Sequence, residues 1–230
     1  VNATRAAGDE ELRALVGTGV SAAAIWRMRE TLDDAAGEAF DKFAKMIGLG
    51  FPGGVQVDRL AHFGDMKAYV FPRPLIHDDH FDFSFSGLKS AAVRLVSALP
   101  SDDLASLEGL SQKWLKSQAY TPDLSLLANL CASYQEAIVD VLVNRLFRAA
   151  ERFNLKQIVV TGGVSANSRL RARAQSEADK RGFQMVIPPI RYCTDNAAMI
   201  GLAGIIRLNR GEKSPQDLAP RARAPLGVKA

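Results

Sequence analysis

The 230-residue sequence is poor in the residues that staple a chain or gather a metal. It has two cysteines, Cys131 and Cys193, far apart and in no CxxC pair. That excludes a disulfide framework and a zinc knuckle, and two reduced thiols suit a cytoplasmic address. Its three histidines, His62, His77 and His80, form no HxxxH pair, so no helix face carries two imidazole ligands. HDDH at 77–80 sits in a proline-flanked stretch and reads as a solvated loop rather than a metal cluster. No apolar run approaches the ~18–20 residues that cross a bilayer. The opening VNATRAAGDEELRALVG places acids where a signal peptide needs a basic and then an apolar stretch. A cytoplasmic protein with no membrane association is expected. Strong charge of either sign is lacking: the chain is mildly basic, with a formal net charge of +4, which suits a nucleic-acid partner without selecting one.

What is present has a clear order. Residues 1–29 are small and Ala-rich without a sustained period, and are expected to be poorly ordered. Thr31 with Asp34 makes a capping-box pattern. Ala35, Ala36, Ala39, Phe40, Phe43, Met46 and Ile47 then recur at helical spacing until Gly48. FPGG at 51–54 turns the chain into a short helix through Val57, Leu60 and Ala61 that stops at Gly64. FPRP at 71–74 must be extended, because proline fixes its own φ and disfavours helix in the residue before it. FDFSFSG at 81–87 alternates like a strand with one aromatic face, and a helix follows from Leu88 to about Leu99. Residues 101–121 are polar and partly helical, and 124–153 form one long amphipathic helix. The last third alternates: strand 156–161, Gly162-Gly163, helix 165–181, strand 183–187, the loop PPIRY, and a helix opened by Thr194 through Ile206. Strand–helix–strand–helix with tight glycine turns predicts an α/β fold with parallel strand neighbours.

Four elements offer chemistry. IVVTGGVSAN at 158–167 brings two glycines to a helix N-terminus, where bare backbone N–H groups attract phosphate and Asn167 can bond a base or ribose. A tight turn chosen for packing is an equal reading of the glycines alone. In CTDNAAM at 193–199, Asp195 either complements the helix dipole or offers a metal-binding carboxylate at the carboxyl edge of the sheet. Asp34, Glu38 and Asp41 share a helix face, usually a solvated stripe, but Asp41 near a Gly-rich turn could bind hydroxyls. In FSFSGLK at 83–89, Lys89 or the serines could touch phosphate, while the aromatic face reads as core.

Taken together these segments are far more specific than any one. DDAAGEAFDK, FPGG, FPRP with DFSFSGLK, GGVSAN and CTDNAAMI stand in the order and approximate spacing of one family. The chain closely resembles the tRNA N(6)-adenosine threonylcarbamoyltransferases, the bacterial TsaD family, over about Thr31 to Leu226. The resemblance implies an actin-like fold of two ribonuclease-H-like lobes with nucleotide in the cleft. It also implies transfer of threonylcarbamoyl from threonylcarbamoyl-adenylate to the exocyclic amine of adenosine 37, in tRNAs reading codons that begin with A. Residue by residue, Asp41, Gly54, Asp58 and Asn167 match adenylate-binding positions, and Asp195 matches the metal-binding aspartate. The family's metal is one iron or other divalent ion, and its histidine ligands are absent here. The partners implied are tRNA, the adenylate, a paralogous partner subunit and a small ATPase. The family's first lobe, with its HxxxH pair and SGGHT loop, has no counterpart in residues 1–29. Residues 30–226 are therefore expected to form mostly the C-terminal lobe with a helical insertion, followed by a tail at 227–230. A chain lacking its N-terminal lobe is expected to be impaired, since one aspartate cannot hold a transition metal tightly. The alternative is a non-catalytic remnant that binds nucleotide or a partner. An actin-like kinase or ATPase would share the fold but not the FSFSGLK and CTDN combination.

Overall fold

The computed structural model describes residues 34–79, 81–194 and 196–215. Helix α1 (Ala36–Met46) buries Ala39, Phe40, Phe43 and Ala44 on one stripe. It starts beyond the capping-box pattern, with Ala35 at the cap position making no side-chain bond; Thr31 lies outside the described residues. Helix α2 (Gly53–Ala61) lies close against α1, and a Cβ at Gly53 would stand 2.4 Å from Ala44 Cβ. Glycine is required there by the approach of the two helices. Helices α3 (Ser86–Ser97) and α4 (Ser101–Ser117) turn Leu88, Ala92 and Val96, and Leu107 and Trp114, into the same core. The alternating FDFSFSG stretch does not become a strand. Only Phe83 makes a bridge, and the rings pack instead: Phe83 stacks on Phe85 at 6.0 Å and Phe81 lies against Phe153 at 5.8 Å.

Helix α5 (Ser125–Arg152) is the axis of the molecule. Its first half joins α1–α4 around Tyr134, whose ring stacks on Phe43 at 3.9 Å and meets Phe71 edge-on at 5.2 Å. The Tyr134 hydroxyl donates to the Ala39 carbonyl at 3.2 Å, and burial pushes its pKa up. The second half presents Val139, Val143, Phe147 and Ala150 to a smaller core. That core is completed by Ile158 and Val160 and by Leu170, Ala174 and Ala178 of α6 (Ser168–Arg181). Residues 122–152 are long and apolar enough to cross a membrane by composition, but 83% of the apolar window is buried in the protein. This is a core helix. A helix apolar over so much of its circumference belongs inside a fold.

Strands β1 (Gln157–Val159) and β2 (Gln184–Val186) pair in parallel, Gln157 with Gln184 and Val159 with Val186. The parallel neighbours predicted from the glycine turns are present, and α6 is their crossover. Both strands are shorter than the sequence pattern, since pairing ends where each chain leaves for its loop. Helix α7 (Ala197–Asn209) opens two residues later than expected. Its cap is Asn196, whose Oδ1 accepts from the Met199 N–H at 2.9 Å, and not Thr194. Nothing on α7 is buried: Ile200, Leu202, Ile205 and Leu208 are each more than half exposed. Val159 and Val186 likewise face out from the sheet.

One packing test follows from the glycines. A Cβ at Gly64 would meet the Ala128 carbonyl oxygen of α5 at 2.1 Å, whereas one at Gly109 in α4 meets nothing within 4 Å. Gly64→Ala should therefore cost about 3 kcal/mol through backbone displacement. Gly109→Ala should stabilise by about 1 kcal/mol through helix propensity. Chemical denaturation of both variants reads the two signs.

Candidate functional site at the strand ends

The chain leaves β1 through Gly162, whose φ of +95° only glycine adopts without strain. A single 3₁₀ turn over Gly163–Ala166 follows, and α6 begins at Ser168 rather than at 165. The turn is closed from within: the Ser165 N–H and hydroxyl both reach the Gly162 carbonyl, at 2.9 and 2.7 Å. Gly162 and Gly163 are exposed, and no protein atom lies within 4 Å of where a Cβ would sit. The glycines are thus not dictated by packing on this side.

The helix N-terminus beyond the turn is already occupied by the protein's own oxygens. Asp58 of α2 accepts from the Ser168 N–H at 3.1 Å and from its hydroxyl at 2.8 Å. Asn167 Oδ1 accepts from the Leu170 N–H at 2.9 Å. These caps supply the negative partner that a helix N-terminus attracts. The N–H groups open to an anion are therefore those of the exposed glycines, not those of the first turn of α6. Asn167 is itself buried, and its amide nitrogen donates to Gln135 Oε1 of α5 at 2.7 Å. Its place is inside the wall of the turn.

The earlier helices meet the same turn. Gly37 of α1 stands in contact range of Val164, with a hypothetical Cβ 3.5 Å from its Cγ2. Asp41 is half-buried and accepts from the Gly53 N–H at 2.8 Å, so it caps α2. The carboxylate stripe is split by this: Asp34 and Glu38 both pair with Lys42 while Asp41 faces the next helix. A Cβ at Gly54 would meet only Phe40 Cβ, at an ordinary 3.8 Å. In contrast to Gly53, packing leaves room for a side chain at Gly54.

Beyond β2, the loop to α7 comes back to the glycine turn through Arg171. Its guanidinium donates to the Ser165 carbonyl and to the Pro188 carbonyl, each at 2.9 Å, and lies 3.7 Å from Cys193 Sγ. The two loops at the carboxyl ends of the parallel strands are clipped together, where open α/β folds place ligands. Asp195 follows two residues after buried Cys193 and lies outside the described residues. Sequence reasoning did not find Arg171 or Gln135, because their partners are carbonyls and an amide that no motif spacing reveals.

A metal finds little here. Among the described residues no three His, Cys, Asp or Glu side chains come together to hold an ion. His62 Nδ1 is engaged with the Asp58 carbonyl at 2.9 Å, and His77 is exposed. The loop preceding His80, itself outside the described residues, turns its carbonyls to arginines. Arg145 donates to Leu75 and Asp78, and Arg148 to Ile76 and Asp78. The described donor set does not fit a transition metal, which needs several converging ligands.

The TsaD family model, tRNA N6-adenosine threonylcarbamoyltransferase, matches residues 16–202. The chain belongs to that family. Relatives bearing the same name include one from Bdellovibrio bacteriovorus, 56% identical over 194 residues, or 84% of this chain and 51% of the relative. The relative from Anaeromyxobacter dehalogenans is 48% identical over 190 residues, 82% of this chain and 51% of its own length. That from Geobacter sulfurreducens is 46% identical over 199 residues, 86% and 53%. The chain spans about half the length of these relatives. The family match begins upstream of Thr31, inside the stretch whose motifs were not legible.

In this family member the wall of the turn is held by one buried acid. Glu136 of α5 takes a two-pronged contact from Arg169, at 2.6 and 2.7 Å, and a third bond from Arg173 at 3.0 Å. Burial alone would raise its pKa, but the guanidinia of Arg169 and Arg173 outweigh it and hold the carboxyl below the usual glutamate range. A depressed folded pKa contributes stability above the unfolded value and loses it as pH falls through the folded one. Glu136→Gln should cost about 2 kcal/mol at neutral pH, because it takes the carboxylate from Arg169 and leaves Arg173 only the more distant Asp140 and Glu177, at 3.7 and 3.9 Å. The gap between variant and wild type should close as pH drops below the ordinary glutamate range. Urea titrations across that acid window check it.

Proposed function

We propose that the chain carries the nucleotide-holding side of a threonylcarbamoyl-transfer centre. In this reading threonylcarbamoyl passes from its adenylate to the exocyclic amine of adenosine 37 in tRNAs that read codons beginning with A. The observation that carries the proposal is the joining of α2 to the glycine turn through Asp58 and Ser168. It brings α2, which Asp41 of α1 caps, to the glycine turn, and so draws together the elements that carry Asp41, Gly54, Asp58 and Asn167, the positions the family resemblance assigns to the adenylate.

The roles follow from the chemistry of each group. The exposed backbone at Gly162–Gly163 receives the phosphate, as unhindered N–H groups do. Gly54 lets the nucleotide approach the backbone of α2, which accounts for a glycine that packing does not require. Asp41 and Asp58 hold the α2 end and the α6 end of the wall, and their remaining lone pairs accept from ribose hydroxyls. Asn167 offers the N–H that its bond to Gln135 leaves over. An aryl amine is a poor nucleophile, so the wall's contribution is to hold the carbonyl in place for attack. Asp195 is the one ligand this reading assigns to a divalent metal such as iron, and no step is drawn through it.

The proposed fold is actin-like, with this chain forming most of one lobe. The exposed apolar surface of α7 and the outward valines of both strands support further protein against this side. The remaining family length, the paralogous subunit and the small ATPase are the proposed sources of that protein, and the proposed compartment is the cytoplasm.

AMP titrated into the purified chain should bind. Gly54→Ala, sterically tolerated in the fold, should weaken that binding roughly tenfold, or about 1.4 kcal/mol, with an unchanged denaturation midpoint. A wild-type chain that binds no AMP would overturn the nucleotide reading. Nucleotide binding with no transfer, even after the rest of the family length is supplied, would leave a binding module rather than an enzyme.

A further inference from the structure

The loop between β2 and α7 holds out three large side chains that nothing so far uses. Ile190 is 63% and Tyr192 46% exposed, and the Arg191 guanidinium lies 4.8 Å from the centre of the Tyr192 ring. The turn beneath them is closed: the Tyr192 N–H reaches the Pro189 carbonyl at 2.9 Å and the Cys193 N–H reaches the Ile190 carbonyl at 3.0 Å. Cys193 is buried below it, and Arg171 ties it through Pro188 to the glycine turn. A braced turn keeps an aromatic ring and a cation facing solvent beside the proposed transfer site.

We propose that Arg191 and Tyr192 form a stacking platform for an unpaired nucleobase of the RNA loop that delivers the target adenosine. The inference rests on the tRNA reading above and deepens it. Single-stranded RNA loops are recognised by stacking of splayed bases on aromatic rings and guanidinium planes. With the Arg191 guanidinium over one face of the Tyr192 ring, a base stacks on the opposite face, and the guanidinium attracts the backbone phosphate. The cation that serves the platform is Arg191 itself, since Arg207 further along is paired with Glu212 at 2.7 Å. Arg171 clips this loop to the glycine turn through the Pro188 and Ser165 carbonyls, so a base stacked on Tyr192 stands beside the proposed phosphate seat and not at a remote handle.

The test is an anisotropy titration of the 230-residue chain with a labelled RNA hairpin whose loop contains an unpaired adenosine, and with the fully paired version. Tyr192→Leu, which keeps apolar bulk and removes the ring, should weaken hairpin binding at least about fivefold. Tyr192→Phe should bind like wild type. Arg191→Gln should weaken binding and flatten its salt dependence. AMP binding should be the same in all three variants. Hairpin binding in Y192L equal to wild type, or preference for the paired RNA, overturns the platform. So does a parallel loss of AMP affinity, which would place Tyr192 at the adenylate instead. A wild-type chain that binds AMP but no hairpin defeats this inference alone; one that binds neither removes the reading beneath it too.

Discussion

The near-complete burial of α5 is the constraint on which the remaining architecture depends. A helix enclosed on both sides by apolar side chains has little water for its polar groups, so most find a partner within the protein, Asn144 Oδ1 being a buried exception. Gln135 and Glu136 are buried at the junction of the two cores. Their partners, Asn167, Arg169 and Arg173, all lie on or at the start of α6. Satisfying two side chains of the core helix therefore fixes where α6 begins and how it turns. The glycine turn is the end of that chain of requirements.

The same logic explains a division of labour at the site. An unoccupied helix N-terminus is an anion seat, but in α6 the seat is taken by Asp58 and Asn167. The protein spends its carboxylate on joining α2 to α6, and that joint brings together segments more than a hundred residues apart in sequence. In the proposed nucleotide reading anion attraction falls to the exposed glycine backbone, and Arg171 holds the neighbouring loop in register. Rigidity comes from the capping groups and access from the glycines.

Helix α7 and the outer face of the strands have the reverse character. Among the described residues helix α7, apolar around its circumference, is covered by nothing, and the sheet has two strands. Parallel sheets are ordinarily covered on both faces and extended by more strands. The chain spans about half of its relatives' length, and the uncovered faces lie on the strand-and-α7 side of α5.

Local periodicity carried most of the fold. The apolar spacing of 124–153 predicted α5 within a residue at each end, and the glycines at 162 and 182 marked the crossover that makes β1 and β2 parallel. The order of five motifs sufficed for the family. What the sequence could not express was the use of its polar residues. Thr194 and Asn196 are both good caps by composition, and only the path of the loop selected Asn196. FDFSFSG alternates like a strand, but among the described residues only Phe83 is in a bridge, and its rings stack and pack instead of lining a ladder. Asp58 with Ser168, Gln135 with Asn167 and Arg171 with Pro188 are bonds between segments that sequence spacing does not relate. Helices and strands were written in the chain because their spacing is a nearest-neighbour property. Which oxygen caps which helix was decided only on folding, because a hydrogen bond depends on distance in space and the sequence records distance along the chain.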